Sequence, residues 1–136
     1  MIKIYSNMPT VPSIMSLHLC YRLWIAEMNF NIDVLRIFDD YLAELALKKN
    51  EPEVKTGIDH FLKQFTDMRK EIDELRHEMH IRKMKLGAYS REMKQVDPKT
   101  YEDDDHDALQ KRYFDFREVF DKLKSDFSKF EGRWLN

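Results

Sequence analysis

Three series of mostly apolar residues, spaced alternately by three and four positions, organise the chain. The first runs Leu17, Tyr21, Trp24, Met28, Asn31, Leu35, Phe38, Leu42, Leu45. The second runs Ile58, Phe61, Phe65, Met68, Ile72, Leu75, Met79, Arg82, Leu86, Tyr89. The third runs His106, Leu109, Tyr113, Phe116, Phe120, Leu123, Phe127, Phe130, Trp134. A mean spacing of about 3.5 residues, held over several heptads, specifies a helix whose apolar stripe supercoils left-handedly against its neighbours. The pattern therefore predicts an all-α fold: three long antiparallel helices forming a coiled-coil-like up-down-up bundle.

The breaks between the series carry helix signals. Ser13 is a candidate N-cap for a first helix over about 13–49. In Asn50-Glu51-Pro52-Glu53, Asn50 can cap, Pro52 suits a first turn and Glu53 completes a capping box, predicting a second helix over about 51–94. Gly87 and Ser90 weaken its last turns, which leaves an earlier end open. Asp97-Pro98 starts a third helix over about 98–133, with Asp103, Asp104, Asp105 and Asp107 placed where the helix dipole favours negative charge. Residues 1–12, with two prolines, read as an extended arm whose Ile2–Tyr5 start is strand-like. The remainder reads as a single domain.

Counting outward from the breaks predicts core layers. One holds Leu42, Phe61 and Trp134; the next holds Phe38, Phe65 and Phe130. Farther along, Trp24, Met79 and Phe116 share a layer, as do Tyr21, Arg82 and Tyr113. Polar residues fall on the seam at Asn31, Arg82 and His106. Arg82 can be received by the two tyrosines through hydrogen bonding or cation–π contact. Asn31, opposite Ile72 and Leu123, suits a register-setting role. The alternative for both is a wet stretch of seam. His106 is expected as an end-layer residue near Tyr89.

The helices differ in their flanks. The second and third carry charge beside the seam, at Glu71, Arg69, Arg76, Arg112, Arg117 and Lys124 among others. The first is apolar nearly all round. Leu23, Phe30 and Ile37 recur on a heptad beside Cys20, Val34 and Tyr41, with Ile25 and Ile32 on the other flank. A helix this apolar has more surface to cover than two neighbours need. Leu23, Phe30, Val34, Ile37 and Tyr41 are therefore the expected interface residues for a homodimer or another helical protein. An arm folded over this face, or a central position for the helix, accounts for the same pattern.

Composition narrows the function classes. The 136 residues are 35% charged and 43% apolar with a net charge of −2, so no global field draws in nucleic acid or an anionic membrane. The best apolar stretch is interrupted by Arg22, Glu27, Asp33 and Arg36, so no membrane span is expected. A lone cysteine, Cys20, excludes an internal disulfide, and no secretory leader is evident before it; both fit the cytoplasm.

Candidate chemistry is sparse. Glu74-x-x-His77 has the spacing used in carboxylate-bridged di-metal bundles, but the register turns His77 and His80 outward. Asp103-x-Asp105-x-Asp107 lacks the glycine of a calcium loop and has Phe114 at the position of the bidentate acid. The basic run Arg82, Lys83, Lys85, Arg91, Lys94 has no interleaved aromatics for stacking bases. Apart from His18, whose side chain points elsewhere on a helix, Cys20 has no activating neighbour. Gly57, Gly87 and Gly132 stand alone, so no phosphate loop is formed. The expectation is a non-enzymatic interaction protein with no catalytic, cofactor-binding or metal residues. The competing expectations are a ferritin-like metal-binding bundle enzyme and a nucleic-acid-associated regulator.

The segments Asp59-His60-Phe61 through Gln64-Phe65, Ile72-Asp73-Glu74-Leu75-Arg76-His77 and the preceding Asn50-Glu51-Pro52-Glu53-Val54 resemble a group of small helical proteins of unknown function from Bacteroidetes-type bacteria. The similarity covers residues 20 to 80, approximately. It implies a bacterial cytoplasmic protein and carries over no functional residues.

Overall fold

The computed structural model describes residues 14–92 and 104–134, and every element in them is helical. Helix α1 spans Ile14–Lys48, α2 spans Pro52–Glu92 and α3 spans Asp104–Trp134. At 1.5 Å per residue they are roughly 50, 60 and 45 Å long. The expected arm, the Ser13 cap and the Asp97-Pro98 start lie outside the described residues.

The α1–α2 turn is short. The Lys49 amide donates to the Leu45 carbonyl and closes α1. The Glu51 carbonyl accepts from Val54 and Lys55, so Glu51 stands at the N-cap and Pro52 opens the helix. This corrects the expectation that Asn50 is the cap: the proline takes the first helical position, where its missing N–H costs nothing, and that sets the cap one residue later. At the far end α2 continues through Gly87 and Ser90 to Glu92, because Met79, Arg82 and Leu86 keep the seam packed there, all three buried.

Side-chain contacts give the topology. Between α1 and α2, Asn29 meets Arg76 and Asp39 meets Arg69, so residue numbers rise in one helix as they fall in the other. Between α2 and α3, Glu53 meets Arg133, Phe61 meets Phe130 and Glu71 meets Arg112, again in opposite senses. Between α1 and α3, Tyr21 meets His106, Glu27 meets Arg117 and Phe38 meets Phe127, with numbers rising together. These contacts describe an up-down-up bundle.

The seams converge on one core. Trp24, Met28, Leu35, Phe65, Ile72, Leu75, Met79 and Tyr113 are all fully shielded from solvent. The predicted layers need correction on α3. Phe38 packs 5.6 Å from Phe65 as expected, but its partner on α3 is Phe127 at 4.4 Å, while Phe130 lies 5.0 Å from Phe61. Likewise Trp24 meets Tyr113 at 4.7 Å in place of Phe116, and Tyr21 meets His106 in place of Tyr113. Helix α3 thus sits one turn away from the counted register at Phe38 and Trp24, and two turns away at Tyr21. The short α1–α2 turn fixes that pair, whereas the longer passage from α2 to α3 lets such a shift keep every seam residue facing inward.

At the α1–α2 turn, α3 approaches α2 closely. A Cβ on Gly57 would collide with the Phe130 ring, which packs into the space the glycine leaves.

Candidate functional site

Two features rise from this frame: an uncovered apolar stripe on α1, and a polar cluster buried at the end of the bundle away from the α1–α2 turn.

The stripe follows from helical spacing. Leu19, Leu23, Phe30, Val34, Ile37 and Tyr41 fall within an arc of roughly 60° on α1. Phe30 is 63% exposed, Leu19 and Ile37 are each 53% exposed, and Tyr41 is 43% exposed. Leu23 and Val34 are half-buried and rest against the core. All five expected interface residues therefore share one face, with Leu23 and Val34 as its anchored edge toward the bundle. Leu19 belongs to the face as well, and its position four residues before Leu23 was the available signal. On the opposite flank Ile25 is buried and Ile32 partly so; outside the stripe, Met15 and Leu47 near the two ends of α1 are also exposed.

The polar cluster is built from all three helices. The Tyr21 hydroxyl lies 2.5 Å from His106 Nδ1. Trp24 stacks on the His106 ring, with centroids 6.0 Å apart and planes 7° from parallel, and on Tyr113 from α3. The Tyr113 hydroxyl donates to Glu27 Oε2 at 2.7 Å, and Arg117 Nε donates to the other carboxylate oxygen at 2.8 Å. The Arg117 guanidinium also lies over the Tyr113 ring. Arg82 reaches this region from α2 and is 5% exposed. It borders a cleft of about 310 Å³ lined by Glu78, Arg82, Ala108, Leu109 and Arg112.

Of the expected polar core residues, Tyr21, Tyr113, Asn31 and Arg82 are buried and His106 is half-buried. The arrangement differs from the expected one. Tyr113 serves Glu27, and Tyr21 serves His106, because the shifted α3 register carries His106 to the level of Tyr21. The Tyr89 side chain, the expected neighbour of His106, lies outside the described residues. Glu27 was not legible as a member of the cluster from its charge. Its signal was a gap: the heptad Cys20, Val34, Tyr41 skips position 27, where an acid stands.

Electrostatics keep the cluster neutral at its centre. Burial, first, and then the positive charge of Arg82 lower the His106 pKa below its ordinary 6.5, with Asp107 opposing. A neutral imidazole leaves the Tyr21 phenol and Nδ1 sharing a single hydrogen bond across α1 and α3. Burial pushes the Cys20 thiol up to about 11, so it is a protonated, unreactive thiol at neutral pH.

The remaining candidates are spread over the surface. His77 and His80 are exposed, and Glu74 accepts from Arg112 at 2.7 Å. Among the described residues, no three His, Cys, Asp or Glu side chains come together as a metal site, and no helix is long and apolar enough to cross a membrane. Arg82, the first residue of the basic run, points into the core. The charged flanks act as seam stitches: Arg69 to Asp39, Arg76 to Asn29, and Arg112 to both Glu71 and Glu74.

No protein-family model, curated protein or solved structure matches this chain.

Proposed function

We propose that this chain is a non-enzymatic helical interaction module that self-associates through α1. The observation carrying this reading is the apolar stripe: large side chains left in water on one face, at heptad spacing, while Arg69, Arg76, Arg112 and Arg117 of α2 and α3 stitch the bundle. Leaving apolar side chains exposed forgoes about 25 cal/mol per Å² of burial, and a matching apolar face recovers it. Contiguous patches of this kind mark association surfaces. In the polar cluster Tyr21 meets His106, and Glu27 takes both Tyr113 and Arg117 across helices, as in a register-setting core.

Light scattering coupled to size exclusion, over a wide concentration range, tests the proposal. The expected result is a concentration-dependent dimer that Phe30→Glu or Ile37→Glu converts to monomer with helicity unchanged. A wild-type chain that stays monomeric at every concentration removes the proposal.

A further inference from the structure

We infer that the second copy docks antiparallel, about a twofold axis level with Asn31, with Arg22 of each copy paired to Asp40 of the other. This rests on the reading of the stripe as a self-association surface and adds to it an orientation and a charge code.

The two edges of the stripe are unlike. One edge belongs to the bundle, where Glu27 holds Arg117 and Phe38 packs inward. The other faces solvent and carries Arg22, Asp33, Arg36 and Asp40, all exposed, with Arg36 3.3 Å from Asp33. Arg22 and Asp40 are 18 residues apart in the sequence, which is five helical turns, so they occupy one angular position on that edge. They also lie equally far from Asn31, nine residues before it and nine after it. With Arg36 and Asp33 paired to each other, the edge is cationic at Arg22 and anionic at Asp40.

A twofold axis perpendicular to α1 at this level lays the solvent edge of one copy along the solvent edge of its partner, with ends exchanged. Each Arg22 then meets an Asp40, giving two equivalent pairs. The same operation brings Asp33 level with Asn29 of the other copy. Asn29 uses its carbonyl oxygen to accept from Arg76 at 2.9 Å, so its amide N–H groups are the ones directed to that carboxylate. The apolar residues interlock under the same symmetry: Phe30 falls between Phe30 and Val34 of the partner, and Leu23 between its Ile37 and Tyr41. A parallel, in-register pair does none of this. Arg22 and Asp40 of opposite copies would be separated by roughly 27 Å along the axis.

The stripe from Leu19 to Tyr41 is roughly 33 Å long and about one helix wide, which puts the contact at the small end of specific interfaces. A dissociation constant on the order of micromolar is expected.

Charge reversal in trans is the test, read by sedimentation equilibrium at low salt. R22D turns both pairs into Asp against Asp, and D40R turns both into Arg against Arg. Each variant is expected to dimerise about tenfold more weakly than wild type. An equimolar mixture of the two restores two attractive pairs and forms the heterodimer in preference to either homodimer, and the R22D/D40R double variant regains the wild-type constant. A spin label on Lys48→Cys, in a Cys20→Ser background, gives an independent distance: roughly 50 Å between copies if antiparallel, about 10 Å if parallel. A dimer that Phe30→Glu dissociates, but whose charge variants behave as wild type or whose labels lie close, overturns the orientation and leaves self-association standing. A wild-type monomer overturns both. So does a chain that dimerises only after removal of residues 1–12, because the arm is then the native cover of the stripe.

Discussion

The two ends of the bundle solve the same packing problem with different chemistry. Near the α1–α2 turn, Phe38, Phe61, Phe65, Phe127 and Phe130 form a carbon-only cluster with centroids 4.4 to 6.5 Å apart. At the other end the equivalent space is filled by Tyr21, Trp24, His106 and Tyr113, with Glu27, Arg82 and Arg117 around them. The phenylalanine end gains stability from area and shape and tolerates many relative rotations of its rings. The polar end gains little net energy per hydrogen bond, but each bond demands one partner at one level. The first end supplies cohesion, and the second selects a register.

Breaking the cohesive end has the largest effect. Phe65→Ala, at a fully buried position, is expected to cost about 3–5 kcal/mol in chemical denaturation, by lost transfer energy and the cavity left behind. Breaking the selective end is milder. Glu27→Ala removes the acceptor of the Tyr113 hydroxyl and the counter-ion of Arg117, and an expected loss of about 1–3 kcal/mol follows from those partners. The two variants separate the ends further in a double-mutant cycle: Glu27→Ala with Tyr113→Phe is strongly non-additive, while Glu27→Ala with Phe65→Ala is additive.

The smallest effect is titration of His106. Its folded pKa lies below the ordinary 6.5, so the unfolded chain binds the proton first as pH falls. The stabilisation is complete above about pH 6.5 and declines as pH drops from there toward the folded pKa. Stability measured from pH 8 downward should show this decline in wild type and lack it in His106→Gln. Arg82→Met removes a neighbouring positive charge, so the His106 pKa, followed by NMR, should rise toward the ordinary value.

The same contrast between the ends separates what the sequence discloses from what it withholds. Seam faces were legible in all three helices because a 3,4 spacing names the inward side of a helix without reference to its neighbours. The α1–α2 level was legible too, since Phe38 and Phe65 are tied by a short turn. The level of α3 was not. Sliding α3 by one turn exchanges Phe130 for Phe127 beside Phe38, phenylalanine for phenylalanine, and the pattern of inward positions is indifferent to the exchange. What distinguishes the two levels is the pairing of unlike groups at the polar end, Tyr21 with His106 and Glu27 with Tyr113, which only three-dimensional proximity reveals. The stripe on α1 was legible as surplus, because exposure of Phe30 and Ile37 follows from which face α2 and α3 occupy.

Cys20 gives the selective end an internal clock. Its thiol is enclosed one residue from Tyr21 and held protonated, with a pKa raised to about 11. Alkylation of that sulfur requires the packing around it to open, and the phenylalanine end contains no cysteine. The rate of labelling by a thiol reagent therefore counts openings of one half of the molecule against a silent other half. This single native atom reports opening of the polar end without any engineered probe.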